Sequence, residues 1–539
     1  MKDNKRLKDP IYGYITIPTV YMDGIIDTAC FQRLRRIIQT SYSPLYSSAV
    51  HNRFVHSIGV FHLGQIASCT IKSEIEKKKY SVGFNIERFC EVFQLACLLH
   101  DVGHAPFSHT GESFYLGKKR CFDELHKKLK LVVDSEKFSK DVPTEKASAA
   151  APHEIMSAIV GLMQFKEFFK YHEEREFFAR CIIGYKYQDK TLDSGIKNCF
   201  IQLLNSKVID VDKLDYLIRD AYTTGFATVA IDYERLLGAL TISEEEGRFE
   251  IAYYKDAVSV IENVVYAHDS ERKWIQNHPA VIYETFILQR MMDFLCEQIE
   301  DDDKRLFCLE SLGTEGQILR NGISIRLLCD DDIIYLTKNI FKNDFTNEYF
   351  NRIERRHPVW KSEAEYKAVF MKKAGGEIYE NFEKAMSATA KYLGGQSDVG
   401  AINDEFIEKI SKELEEIDKQ SIDDLTKKAQ IEEKTRILKV AKCLKELSEK
   451  KGAKCDFIII KASQFNSGFG KPDFTRTTIL FHTDTDHFKG AKFGDIVSSI
   501  TAKDTGRDDY FYLFYKRAEN SDIEYTSSEL CNILIKEFV

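Results

Sequence analysis

The stretch IERFCEVFQLACLLHDVGHAPFSH, residues 86–109, decides how this chain is read. Residues 86–100 are apolar nearly all round, the texture of a helix buried at the centre of a domain, and Gly103 and Pro106 mark where it ends. The polar pair His100 and Asp101 therefore stands at the end of a buried helix. Buried polar groups without partners are costly, so something must hold them there.

Three further segments share this texture: HNRFVHSIGV (51–60), APHEIMS (151–157) and VIDVDKLDYLIRDA (208–221). From them His56 and Asp212 join His100 and Asp101 as a set of two imidazoles and two carboxylates. A divalent ion that activates water and grips phosphate oxygens takes such mixed ligands in a roughly octahedral shell with open positions. Adjacent helical residues point about 100° apart, so His100 and Asp101 can share one ion only at a helix end or with ligands converging from other helices. No Cys belongs to the set, which argues against a structural zinc site. Mn, Fe, Mg or Ni is the expected metal. On the segment carrying Asp212, Tyr216 and Asp220 follow at four-residue steps, so the three share one helix face.

Around this set, apolar residues recur at helical spacing from about 24 to 300, which predicts a helical domain over 1–300. Lys118 to Ala151, rich in Lys and ending in Ala147, Ser148, Ala149, Ala150 and Ala151, reads as an insertion or surface excursion. Residues 301–403 are a mixed region without a sharp motif. Within 404–539, Phe406, Ile410, Leu414 and Ile417, then Ile437, Leu444 and Leu447, predict two amphipathic helices. After Gly452 the runs DFIIIKA, TTILFHT and DYFYLFYK predict a small sheet. The expected fold is mainly α, with a smaller mixed α/β C-terminal region.

The 539 residues suffice for two or three domains, and 44% apolar with 30% charged residues describes a folded globular chain. With 76 Lys and Arg against 84 Asp and Glu the net charge is -8, so nucleic acid is not the expected main partner. The 13 Cys form no CxxC pair, and Cys97, Cys181 and Cys329 lie in apolar runs as reduced thiols would in a cytosolic protein. Residues 1–10 lack the apolar stretch of a signal peptide, and no run of about 18 uncharged apolar residues follows. A cytoplasmic protein without a membrane partner is expected.

The four segments, in this order, resemble the motifs of HD-superfamily deoxynucleoside triphosphate triphosphohydrolases, the group containing bacterial dGTPases and the vertebrate enzyme with a sterile-alpha-motif domain. The likeness covers roughly residues 10–290 and extends to IIDTACFQRLRRIIQTS (25–41). It implies a helical HD-domain core with His56, His100, Asp101 and Asp212 as metal ligands. It further implies Arg53, His104, His109 and Lys213 around the phosphates, and Tyr216 at the deoxyribose with Gln39 and Asp220 on its 3'-hydroxyl. His109 with Glu112, and His153 with Glu154, would handle protons, the first pair foremost. The implied reaction is attack of metal-activated water on the α-phosphorus of a dNTP, giving a deoxynucleoside and inorganic triphosphate. The family's habits imply a homo-oligomer, dimer or higher, and a regulatory nucleotide. Control of dNTP pools and dNTP depletion in antiviral defence would use the same site.

His51 and His62 do not match ligand positions of the family and are read as supporting residues. The segment HDSERKWIQNHPAV (268–281) places no Arg on the family's further phosphate-binding position, where Arg272 or Lys273 would substitute. Two other readings use the same residues: an HD phosphodiesterase or phosphomonoesterase acting on another nucleotide, and a nucleotide-sensing regulatory module.

Overall fold

The computed structural model describes residues 4–117, 122–142, 150–226, 230–301, 303–352, 355–366, 368, 376–392, 404–417, 423–449, 456–461, 475–482, 488–497, 511–516, 529, 532–533 and 536. The chain is mainly helical, with small sheets. It divides into two compact units that interleave along the sequence: residues 1–271, 289–342 and 466–504 in one, and 272–288, 343–465 and 505–539 in the other.

The first unit is built on helices whose ends carry polar caps. Asn52 accepts from the Val55 amide at 3.3 Å and starts the Arg53–Lys77 helix. Asn85 accepts from the Arg88 amide at 3.1 Å and starts Ile86–Leu99. Asp210 accepts from the Lys213 amide at 2.7 Å and starts Val211–Thr224, which Gly225 ends at φ 66°. Each cap supplies a partner to an otherwise orphan helix N–H. They also place function: His56 and Asp212 fall in first turns, and His100 falls at the C-cap of its helix. The four expected ligands thus come from helix ends, the geometry that lets adjacent residues converge.

The Ile86–Leu99 helix is the central one, with Val92, Phe93, Leu95, Ala96, Cys97, Leu98 and Leu99 all fully buried. A Cβ at Gly64 would stand 2.5 Å from Cys97 Sγ, so the Arg53–Lys77 helix crosses this one in close contact. That same Arg53–Lys77 helix has the length and apolar composition to cross a bilayer, yet most of it is buried as a core helix. Helices Pro152–Gln164, His172–Ile183 and Leu192–Leu204 complete the bundle. Cys97 and Cys181 are free and buried, while Cys329 is half-buried.

The Lys-rich stretch after residue 118 departs from the surface excursion expected of it. Its described parts form helices Phe122–Val133 and Glu136–Asp141, in which Leu129, Val133 and Phe138 are buried. The lysines occupy the polar face of an amphipathic helix, and the charge count hid that face. Residues 118–121 and 143–149, with Ala147, Ser148 and Ala149, lie outside the described residues.

This unit also contains a four-stranded sheet in the order Phe488–Lys492, Thr478–His482, Arg248–Tyr254, Leu240–Glu245. Its middle pairing is parallel, with Ala252 opposite Thr478 and Tyr254 opposite Leu480, and its outer pairings are antiparallel.

In the second unit, helices Gly376–Tyr392, Asp404–Ile417 and Asp424–Glu449 pack through Phe406, Ile410, Ile437 and Ala441. The expected apolar face is present: Ile417 and Leu444 are buried and Leu414 is half-buried. The Leu447 side chain lies outside the described residues. A three-stranded sheet sets Phe511–Lys516 between His357–Pro358 and Asp456–Lys461. Inside this unit Arg356 and Glu348 form a buried ion pair that also takes in Tyr283.

Candidate metal centre and phosphate pocket

Four donor atoms converge where the helix ends meet. His56 Nε2 lies 3.2 Å from His100 Nε2, 2.9 Å from Asp212 Oδ1 and 3.6 Å from Asp101 Oδ2. His100 Nε2 lies 3.5 Å from Asp101 Oδ2 and 3.6 Å from Asp212 Oδ1. Ligands at about 2.0–2.2 Å from one ion stand roughly 3 Å apart on neighbouring octahedral positions, so these spacings fit.

Proton placement makes the same case. His56 Nδ1 is 2.7 Å from Asp215 Oδ2, and His100 Nδ1 is 2.9 Å from the Cys97 carbonyl. Both partners are acceptors, so each neutral ring carries its proton on Nδ1. The two Nε2 lone pairs then face each other and two carboxylates with no proton between them, an arrangement that a cation resolves. Without one, a proton takes its place: burial drives the His56 pKa down, but Asp212 and Asp215 outweigh it and lift it to about 9.

Behind this set runs a fully buried chain of charges that the sequence reading missed. Arg219 grips Asp215 with two hydrogen bonds, Nε to Oδ2 and Nη2 to Oδ1, both 2.9 Å, and reaches Asp9 Oδ2 at 3.0 Å. Burial raises the Asp215 pKa, yet Arg219 and His56 hold it well below the usual carboxylate range. The available signal was the i,i+4 spacing of Asp215 and Arg219 on one helix. Gly59 leaves the necessary room, because a Cβ there would overlap Asp215 Oδ1 and stand 2.5 Å from Arg219 Nη2.

Arg53, expected at the phosphates, is buried and committed to the site's frame. It donates to Asp101 Oδ2 at 2.8 Å, Ser108 Oγ at 2.9 Å and the Gln39 carbonyl at 3.4 Å. Asp101 is accordingly acidic: burial opposes its ionisation, and Arg53, His100 and His56 overcome that.

A second cluster adjoins the first. His104, His109 and His153 offer ring nitrogens within 4.8 Å of one another. His104 stacks on His153 with centroids 4.4 Å apart. Glu112 links the other two, Oε2 to His109 Nδ1 and Oε1 to His153 Nδ1, each at 3.0 Å. Burial pulls the His153 pKa down, but Glu112 prevails and raises it to about 9. Among the described residues, neither ring nitrogen of fully buried His104 has a hydrogen-bond partner. Burial and the nearby Arg53 guanidinium keep it neutral, well below its usual pKa.

The expected pairing of His153 with Glu154 is not what the structure forms. Glu154 turns away, taking the Ala151 amide at 2.7 Å and Asn205 Nδ2 at 2.8 Å, because at the third helical position its side chain reaches back to the helix start. Lys213 is also occupied, donating to the Ser206 carbonyl at 2.7 Å and to Asp210 at 2.6 Å.

At the other end of the Asp212, Tyr216 and Asp220 face, His51 Nε2 lies 2.7 Å from Asp220 Oδ1, both buried. His51 thereby supports Asp220. The Gln39 backbone N–H donates to the His51 carbonyl at 2.9 Å, while Gln39 Oε1 is buried without a partner among the described residues. Tyr216 is half-buried on the same helix. His62 packs against Tyr12 with centroids 5.2 Å apart. Arg272 and Lys273 belong to the second unit.

The site thus combines a His, His-Asp, Asp donor set at the ends of bundled helices with a neighbouring histidine cluster. Residues 53–176 match the HD domain. It is similar to the deoxynucleoside triphosphate triphosphohydrolase SAMHD1 of Danio rerio, 29% identical over 312 residues that cover 57% of this chain and 48% of that protein. The SAMHD1 homolog of Dictyostelium discoideum is 32% identical over 245 residues, 44% of this chain and 39% of that one. An uncharacterized protein of Mycoplasma genitalium is 29% identical over 265 residues, 48% and 52% of the two chains. The chain spans about half the length of the curated relatives it matches.

Proposed function

We propose that this protein is a metal-dependent hydrolase of deoxynucleoside triphosphates that releases a deoxynucleoside and inorganic triphosphate. The observation carrying this reading is the adjacency of three different surfaces. One is an imidazole and carboxylate set whose lone pairs face inward. The next is a histidine cluster in which His104 is buried with both nitrogens free. The last is the Gln39 and Asp220 end, where an unpartnered oxygen and a carboxylate suit a hydroxyl donor.

His56, His100, Asp101 and Asp212 would hold the divalent ion, with Mn, Fe, Mg and Ni all compatible with the donors. The ion would supply positive charge to phosphate oxygens and lower the pKa of water. The chain's own residues do the rest. Neutral His104 donates one N–H to a phosphate oxygen, and cationic His153, held by Glu112, adds charge without leaving its position. His109 is exposed and keeps its Nδ1 proton on Glu112, so Nε2 is a lone pair; once Nε2 takes a proton from solvent, the imidazolium passes that proton to the departing 5'-oxygen. Asp220, fixed by His51, accepts the 3'-hydroxyl while Gln39 Oε1 takes a second sugar or base donor, and Tyr216 flanks the sugar. The relatives named as deoxynucleoside triphosphate triphosphohydrolases support the substrate class. Assembly into oligomers and activation by a nucleotide belong to the same proposal.

The test is incubation of the full chain with each dNTP and rNTP, with Mn or Mg, alone and in mixtures, reading deoxynucleoside and triphosphate. Triphosphate release abolished by Asp101→Ala and Asp212→Ala is expected. Release of orthophosphate or a monophosphate instead would replace this reading with a phosphomonoesterase or phosphodiesterase.

A further inference from the structure

The loop from His100 to His109 carries most of the site's chemistry, and part of what holds it lies outside the matched HD segment. Phe107 and Ser108 both have φ +55°, a left-handed conformation that neither side chain favours. Two consecutive residues of this kind persist only where the surroundings over-determine them. Asp330 is one such constraint. Buried at the start of the Asp330–Tyr335 helix, it accepts from the Phe107 amide at 2.7 Å through Oδ1 and from the Ile38 amide at 2.8 Å through Oδ2.

The two amides belong to opposite walls of the site. Ile38 precedes Gln39 and bridges to Asn52, the cap of the helix that carries Arg53 and His56. Ser108 donates to the Ile38 carbonyl and accepts from Arg53 Nε, so a closed ring of bonds runs through Asp330, Phe107, Ser108 and Ile38, with Arg53 joined to it at Ser108. Arg33 grips the other half of the loop. Its Nη1 donates to the His104 carbonyl at 3.0 Å and the Leu328 carbonyl at 2.8 Å, and its Nη2 to the Val102 carbonyl at 2.8 Å. Asp330 and Arg33 thus reach the loop without touching any ligand or proton-handling side chain.

The geometry points to Asp330, with Arg33 beside it, as a positioning residue of the site: it fixes the strained turn at Phe107 and Ser108 against Ile38, and through that turn aims Arg53, His104 and His109. The effect on catalysis rests on the proposed dNTP reaction; the effect on the loop does not. A role in catalysis thereby falls to a residue of the 301–403 stretch, which carries no motif of its own.

The experiment compares wild type, Asp330→Ala and Asp330→Asn by amide hydrogen exchange and by steady-state triphosphate release. In Asp330→Ala, exchange at the Ile38 and Phe107 amides should accelerate at least about tenfold, with the Ile86–Leu99 core unchanged. Its kcat should fall at least about tenfold while KM moves less than about threefold, the signature of misaimed groups rather than lost substrate contacts. Asp330→Asn keeps one acceptor oxygen and should lie between the two. Unaltered exchange at both amides would overturn the proposal, as would uniform acceleration across the core with Asn no better than Ala. If Asp330→Ala does not fold, Asp330→Asn decides by the same local acceleration. A wild type that releases no triphosphate would sink the proposed reaction and leave the exchange result to judge the clamp.

Discussion

Asp215→Asn tests the buried chain behind His56. The native carboxylate takes the His56 Nδ1 proton at 2.7 Å and two Arg219 donors at 2.9 Å, with its side chain fully buried. Asn keeps one acceptor oxygen. If that oxygen stays with Arg219, the new NH2 faces His56 Nδ1, and the imidazole must move its proton to Nε2. There it lies 2.9 Å from Asp212 Oδ1 and occupies the space that a cation needs. Loss of such an outer partner costs about 10- to 100-fold in metal affinity, or about 1.4–2.8 kcal/mol. Stability falls as well. Removing one partner of a buried pair costs about 3–5 kcal/mol, and the low end applies because Arg219 keeps Asp9 at 3.0 Å. The native Asp215 pKa is depressed, so its contribution is present above the unfolded value and lost as pH falls; the variant lacks that acid-side loss. Calorimetric titration with Mn, alongside thermal unfolding, reads both effects. A variant that binds Mn within twofold of wild type would refute the argument that Asp215 sets the His56 tautomer.

Three further outcomes follow from the same geometry. Gly59→Ala should destabilise by at least about 3 kcal/mol in urea unfolding, because its methyl overlaps Asp215 Oδ1 and crowds Arg219. Glu112→Gln removes the group that lifts His153 to about 9, so burial would take over and the basic limb of the pH–rate profile should retreat from about 9 to below about 7. A raised His stabilises fully below its unfolded pKa and loses this as pH rises through 9, so unfolding at pH 6 and pH 9 should differ less in the variant than in wild type. With His56 near 9 when no cation is bound, apparent Mn affinity should weaken up to about tenfold per pH unit on acidification below that value, and chelation should lower the melting temperature.

What was legible in the sequence was local. The apolar run before His100, the stop at Gly103 and Pro106, and the four-residue steps of Asp212, Tyr216 and Asp220 gave the helix end and the shared face. Partnerships that depend on distant segments were not. Nothing near Asp330 announces its bonds to Ile38 and Phe107, and nothing near Thr478 announces a parallel pairing with Ala252. The partner of His153 was illegible for a different reason, since Glu154 is not it. Adjacent to His153 in sequence, it points elsewhere around the helix, while Glu112 reaches His153 from another turn. In the Lys-rich segment the dense charge masks the four-residue spacing of the buried Leu129 and Val133.

The charges of the site explain why a cation belongs at one place and not at its neighbour. Asp101 is balanced by Arg53, Asp215 by Arg219, and Glu112 by the raised His153. Asp212 differs: its ion-pair neighbours among the described residues are His56 and His100, whose inward nitrogens are lone pairs when neutral. A proton on His56 can satisfy Asp212 only by spending a nitrogen that a cation would use. A dication satisfies Asp212 and both nitrogens together, and leaves positive charge facing outward for a polyanion. The His104, His109 and His153 cluster already has Glu112 as its internal counter-charge, and its free nitrogens can donate. The carboxylates thus set the difference: Asp212, unmatched, calls for a cation beside it, whereas Glu112 already balances the second cluster and, under the proposed reaction, leaves that cluster to receive phosphate.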